Sequence, residues 1–427
     1  MEQDMTQGKP LSIILKFTLP LLVGNIFQQF YNMADTIIVG RFVGANALAA
    51  VGSTGTVMFL IIGFAQGITA GFTILTSQRY GAKDEKAVRA SVANGILLSV
   101  LVTILITVVG LSTMKPLLLL MNTPEDIFAD AYTYSMLICS GVVACIFYNL
   151  FSSLLRAIGN SKVPLFFLVF SACLNVVLDL LLILCFHMGV AGAAIATVVA
   201  QIVVTSCFML KILKSKEIYF KIIPFKDIKL NYYKILYNLG IPVALQSGLF
   251  TLFSMTLGVV VASFGPVAVA VQKVGSQIES ISWMSAEGIA AALSSFVGQN
   301  YGSKDYDRIQ RGCKITLLIA IIMGTINTIL LVFLGKYIFS IFINESEAIL
   351  KGADYLKILG YSQLFMCIEI VIAGAFRGLG KTLIPSLVSI ILTGSRIPIA
   401  YLISNPSILG LNGVWWSISI SSILKGI

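Results

Sequence analysis

Apolar residues fill this 427-residue chain in long, nearly uncharged blocks separated by short polar stretches. Most blocks exceed the ~20 residues that carry an α-helix across a bilayer. Within them no charged face recurs every three to four residues, as it would on the helices of a soluble bundle. The pattern predicts twelve helices, at roughly 11–40, 47–77, 87–113, 127–154, 163–186, 190–211, 232–263, 267–299, 312–334, 348–375, 383–403 and 412–427, with ends good to ~2–4 residues. The last stops at Ile427, about sixteen residues after Asn412, so a truncated final helix is expected. One residue interrupts the fifth block: in LNVVLDLLLILCF (174–186) Asp179 stands in an apolar run, with Asn175 one turn earlier.

Composition sharpens this into an all-α polytopic membrane protein. Apolar residues are 57% of the chain and charged residues 11%, against ~25% charged in soluble domains. Glu2 and Asp4 near the start, and the lack of a small-residue cleavage site after the first block, argue against a cleavable signal peptide. The seven cysteines form no CxxC pair or metal spacing and read as buried free thiols. The single histidine, His187, sits in a tight turn, which excludes a His-based metal site or catalytic triad.

The net charge of +10 follows the loops rather than a nucleic-acid surface. Arg79, Lys83, Lys86, Arg89, Arg156, Lys162, Arg308, Arg377 and the lysine-rich 211–234 stretch fall on the side of the N-terminus, whereas the other side holds Arg41, Lys115, Lys336 and Lys351. Cytoplasmic loops carry the Lys/Arg excess, so the expected placement is a multi-pass protein of the cell membrane with a cytoplasmic N-terminus.

The chain is also written twice. At an offset of 221 residues, QRYGAKD (78–84) falls on QNYGSKD (299–305) and LRAIGNSKVP (155–164) on FRGLGKTLIP (376–385). Gly44, Gly67, Gly189 and Gly192 fall on Gly265, Gly288, Gly410 and Gly413. Two six-helix lobes are therefore expected, 1–211 and 232–427, joined by a basic linker over 212–231. An even number of helices per repeat makes the repeats parallel, an arrangement found among transporters that alternate access to a central cleft.

These residues resemble the multidrug and toxic compound extrusion (MATE) family along nearly the whole chain. The likeness rests on the Pro20…Asp35 first helix, the paired Tyr-Gly-x-Lys-Asp loops, the paired Arg-x-x-Gly loops and the glycine-rich starts of helices 6 and 12. The resemblance implies a twelve-helix, two-lobed antiporter that expels amphipathic, often cationic compounds, antibiotics among them, on a Na⁺ or H⁺ gradient. It implies no cofactor and no metal beyond Na⁺. A monomer in the lipid bilayer is expected.

Carboxylates at mid-membrane cost ~2.5–3.5 kcal/mol on insertion scales and mark ion pathways. At ~1.5 Å per residue, Asp35, Asp179 and Thr197 all lie ~8–12 Å below the outer face. Asn175 shares a helix face with Asp179, and Gln28, Asn32 and Asp35 form a polar stripe on helix 1. Oxygen-rich clusters suit hard cations such as Na⁺, and neighbouring buried carboxyls can also take up a proton. By the resemblance, Asp35, Asn175, Asp179 and Thr197 match the cation site in the N-lobe of family members. Pro20, which removes a helical hydrogen bond, is the expected hinge. The plain structural alternative is that Asp179 bonds Asn175 within a packed lobe.

The second half does not repeat the acids: Asp35 falls on Thr256 and Asp179 on Ala400. Phe250 and Met366 stand nearest the positions where some family members carry C-lobe acids, so that site is expected to be missing. What remains is Lys273, Glu279, Glu287, Glu369 and Arg396, with Gln246, Gln272, Gln277 and Trp283 nearby. These either pair internally or attract a cationic substrate, for which a flat aromatic ring is suited. The QxYGxKD loops read as structural turns with glycine at the bend, and Arg156 and Arg377 as partners of helix-end carbonyls. Two alternatives stand beside the antiporter. A flippase for a lipid-linked or polysaccharide precursor would want a strongly basic cavity, and a membrane enzyme would want HExxH, GxGD or a helix-borne His, which the chain lacks.

Overall fold

A computed structural model describes residues 4–121, 123–214, 230–343 and 345–427; most of the expected linker, 215–229, lies outside them. The first half of the chain forms α1 (Pro10–Ile38), α2 (Ala45–Gly81), α3 (Glu85–Leu120), α4 (Glu125–Ser140), α5 (Val142–Ala157), α6 (Lys162–Leu180) and α7 (Gly189–Lys214). The second forms α8 (Leu230–Ala262), α9 (Pro266–Gly302), α10 (Tyr306–Ser340), α11 (Ser346–Gly360), α12 (Gln363–Gly378), α13 (Leu383–Gly394), α14 (Arg396–Ile403) and α15 (Leu411–Gly426). Among the described residues, eight helices have the length and hydropathy to cross a membrane, and two bent pairs raise the number to ten. In α10, Leu318, Ile322, Ile326, Ile329 and Phe333 stay exposed, the lipid-facing stripe of a membrane helix.

The bent pairs correct two expected straight spans. The fourth breaks at Gly141, with a 47° bend between α4 and α5, and the tenth breaks between α11 and α12, with a bend of 48°. At the repeat offset Gly141 falls on Ser362, so both halves bend at one place. A single π-helical turn follows α1 at Val39–Val43 and another follows α6 at Leu181–Cys185. Such turns release part of the backbone ladder and often adjoin functional sites.

The face that carries the paired QxYGxKD loops is closed by the loops themselves. Gln78 Nε2 donates to Gly378 O at 2.9 Å, and Gln299 Nε2 donates to Ala157 O at 2.8 Å. These two bonds are the same bond under the repeat offset. Gly81 lies against Gln299 O and Gly302 against Gln78 O, too close for a side chain. The glycines thus permit close approach rather than a bend; the left-handed residues of the turns are Lys83 (φ 56°) and Lys304 (φ 62°). Asp84 and Asp305 then cap α3 and α10. The N-terminal segment joins this seal: Met5 is buried, its N–H donates to Gln299 Oε1, and Arg308 donates to the carbonyls of Met5, Gln7 and Gly8.

Towards the opposite face the halves separate. A Cβ at Gly67 of α2 would sit 2.5 Å from Ala244 Cα of α8, whereas one at Gly52 or Gly55 would meet nothing within 4 Å. Between these ends lies a cavity of about 440 Å³ lined by Gly52, Gly55, Phe59, Phe250, Thr251, Ser254 and Met255. Helix α1 bridges the halves. Ile13, Ile14 and Phe17 pack with Ile289, Leu293 and Phe296 of α9, and Asn25 Nδ2 donates to Met284 O at 2.8 Å.

The cysteines are free, but only Cys139, Cys145 and Cys367 are buried. Cys173, Cys185 and Cys207 are exposed on apolar helices, where lipid solvates a thiol as readily as a protein core does.

Candidate functional site

Asp35, Asn175, Asp179 and Thr197, chosen from α1, α6 and α7, meet in one cluster. The carboxyls of Asp35 and Asp179 face each other within hydrogen-bonding range. Asn175 lies between Asp179 and Thr197. With its amide nitrogen turned to Asp179 Oδ2 at 2.8 Å, its oxygen accepts from Thr197 Oγ1 and Thr197 N, both at 3.2 Å. This orientation, assigned from the bonding network, satisfies both ends of the amide. Asn175 and Asp179 are fully buried. Beneath them Ile38, Val39, Ile183, Val190 and Ala193 form an apolar layer that includes residues of both π-turns.

Two tyrosines complete the cluster, and sequence reasoning missed both. Tyr31 hydrogen-bonds Thr197 and lies in the neighbourhood of both carboxyls, as does Tyr134 of α4. Tyr31 was findable, since it lies four residues before Asp35 on one helix face. Gln28 and Asn32, expected in the stripe, instead bond each other at 3.3 Å on the exposed side. Pro20 is buried inside α1, which runs as one helix from Pro10 to Ile38.

One oxygen of each acid, Asp35 Oδ1 and Asp179 Oδ1, is buried without a hydrogen-bond partner. Leaving a buried polar group unsatisfied costs about 1–3 kcal/mol, more when it is charged. No basic side chain among the described residues pairs with either carboxyl. The cluster thus offers carboxylate, amide and hydroxyl oxygens and no positive charge of its own, a donor set suited to a hard cation or a proton.

Of the candidates of the second half, Glu279, Glu369 and Arg396 gather near one another, and the others lie apart. Glu279 accepts from Tyr355 Oη at 3.4 Å, Glu369 pairs with Lys425 at 3.0 Å, and Arg396 donates to Ser421 Oγ and Ser422 Oγ at 2.6 and 3.1 Å. Glu287 pairs with Arg377 at 3.5 Å, so that arginine serves a carboxylate, whereas Arg156 donates to Ser152 O in its own last turn. Gln246 accepts from Ser386, and Gln272 from Trp415. Lys273, Gln277 and Trp283 are exposed. None of these candidates lines the cavity between α2 and α8.

A polar cluster inside one half of an internally repeated helical membrane protein, with a cleft between the halves, is an arrangement found among membrane transporters. The family follows from comparison with known proteins. The MatE family model matches residues 20–181 and again 242–402, and the chain belongs to this family of transporters rather than to any class of enzyme. The "Probable multidrug resistance protein YoeA" of Bacillus subtilis (strain 168) is 29% identical over 411 residues, spanning 93% of this chain and 88% of that one. The "Probable multidrug resistance protein NorM" of Thermotoga maritima is 27% identical over 415 residues, spanning 94% and 87%. The fold matches a solved structure described as "Outward-facing conformation of a multidrug resistance MATE family transporter of the MOP superfamily" with a TM-score of 0.92. That match has 23% identity and covers 99% of this chain and 95% of that one.

Proposed function

We propose that this transporter exports amphipathic organic cations across the cell membrane in exchange for Na⁺ or H⁺, alternating access between lobes 1–211 and 232–427. The observation that carries the reading is the Asp35–Asp179 contact with its two unpartnered oxygens. A cation or proton entering there neutralises charge on α1. The same helix holds the second half through Asn25, Gln29 and its N-terminal turns. Any shift of α1 is thereby passed to the contact between the lobes. With the N-terminus cytoplasmic, the seal made by Gln78 and Gln299 closes the inner side and the cavity at Phe59 and Phe250 opens outwards. In this reading α9 and α15 supply the remaining two of twelve spans.

The cavity supports the substrate class. Phe59, Phe250 and Met255 offer rings and a pliable thioether, and Thr251 and Ser254 offer weak polar contacts. Its volume lies within the ~300–1,000 Å³ range of small-molecule sites. No lysine or arginine lines it, which disfavours a pyrophosphate-bearing lipid and hence the flippase alternative. The names of the two Bacillus and Thermotoga relatives point the same way.

The test is efflux of an organic cation dye from proteoliposomes, first under an imposed Na⁺ gradient and then under an imposed pH gradient. Efflux driven by one of them is expected. Inert behaviour under both would overturn the reading.

A further inference from the structure

Two positions of the Asp35–Asp179 cluster have polar counterparts in the second half. At the 221 offset, Tyr134 falls on Tyr355 and Asn175 falls on Arg396. The backbone position that presents a neutral amide to the Asp179 carboxyl in one half therefore presents a guanidinium in the other. Around Arg396 the structure gathers charged groups from three other helices. Glu279 of α9 and Glu369 of α12 act on it, as does the Tyr355 phenol of α11. Lys425 of α15 pairs with Glu369 at 3.0 Å and also acts on Glu279. Gln363, fully buried at the start of α12, hydrogen-bonds Glu279 yet keeps its own Oε1 without a partner.

The charges close: two carboxylates face two bases. The first cluster has two carboxyls and no base. We propose that the second cluster is a cation site whose cations are built in, the Arg396 guanidinium and the Lys425 ammonium standing where an external monovalent cation would otherwise sit. Coupling ions are then taken up by the first half alone, and Lys425 is the residue that excludes them from the second. This rests on the reading of Asp35 and Asp179 as an ion site only for the contrast; the pairing of Glu369 with Lys425 stands without it.

The chemistry requires a tethered cation to be replaceable. An ammonium at 3.0 Å from a buried carboxylate satisfies the charge that Na⁺ would satisfy, with no translational entropy to lose. Removing it leaves the Glu369 carboxylate unanswered beside a cluster whose oxygens, from Glu279, Tyr355, Gln363, Ser421 and Ser422, surround Glu279 and Arg396. A hard monovalent cation is the ligand such a donor set selects.

The test uses full-length protein carrying Asp35→Asn, so that the first cluster lacks one of its two carboxyls, and reads the midpoint of thermal unfolding in NaCl against choline chloride at equal ionic strength. The Asp35→Asn parent is expected to be indifferent to the cation. Adding Lys425→Met is expected to create a rise of several degrees in NaCl, because a ligand that binds only the folded state stabilises it. Adding Glu369→Gln as well is expected to abolish that rise. A Lys425→Met protein that ignores Na⁺ would overturn the proposal. So would one that folds only once Glu369→Gln is added, since the freed carboxylate would then have failed to recruit a cation. Calorimetric titration of the Asp35→Asn parent with Na⁺ gives a second measurement on a protein with its second cluster intact. Residual binding there that persists when Asp179→Asn is added would place an external cation in the second half and also overturn the proposal. If wild-type protein itself binds no Na⁺, the first half is left with a proton as its coupling ion, and the contrast between parent and Lys425→Met still decides.

Discussion

The two halves are interchangeable at one depth and opposite at another. Where the chain closes one face, Gln78 and Gln299 reach across to Gly378 and Ala157 with bonds of 2.9 and 2.8 Å. Deeper in the helices the same repeat places Asp35, Asp179 and Asn175 in one half and Arg396 with Glu279, Glu369 and Lys425 in the other. The difference separates two demands on the repeat. A seal between two lobes is best made by like parts meeting about a pseudo-twofold axis. An ion site needs only one copy, and the second copy is free to neutralise itself.

The largest expected effect tests the acidic side of this contrast. Asp179→Asn removes a carboxylate that has no basic partner, so ion-driven efflux from vesicles is expected to fall to background while the purified protein keeps its helical circular dichroism. Efflux near the wild-type rate would remove the ion role from this residue. The corresponding change in the other half is expected to act on stability. Glu369→Gln strands Lys425 in a buried position, and breaking a buried pair by deleting one partner costs about 3–5 kcal/mol. Denaturation in detergent should show this loss. A stability equal to wild type would mean that water reaches Lys425.

Smaller effects probe the symmetric face. Gln78→Ala and Gln299→Ala each delete one cross-lobe bond, worth about 0.5–1.5 kcal/mol. Gln299 also holds the buried N–H of Met5, so its variant is expected to be the more damaging by a similar amount. Both should raise the reactivity of a thiol placed at Thr6, and equal reactivity would show that the N-terminal segment adds nothing to the seal. The smallest effect is Lys351→Ala, which removes an exposed i,i+4 pair with Glu347. Such pairs contribute roughly 0.3–0.5 kcal/mol, and a midpoint shift beyond a degree or two would contradict that placement.

Much of the architecture was legible because it is written in local hydropathy and in one offset. Asp179 could be singled out because a carboxylate in LNVVLDLLLILCF has no local reason to be there. Asp35 and Thr197 could be joined to it because helical rise converts residue number into depth. Tyr134 could not, since nothing along the chain says that α4 turns that face towards α1 and α6. Lys425 escaped notice as a basic residue near a helix end, which reads as a loop charge until α15 is seen to bring it onto Glu369. The bends at Gly141 and Ser362 were hidden because hydropathy is continuous through both.

The amino-acid sequence by itself determined that the chain is a duplicated bundle of membrane helices, and it determined where along each helix the polar residues lie. Those properties are additive along a helix. Only the tertiary structure decided which charge is answered. Asp35 meets Asp179 and remains without a base, whereas Glu369 meets Lys425. Inside a low-dielectric bundle the state of a charge depends on the nearest opposite charge in space, and that neighbour comes from a helix far away in the chain.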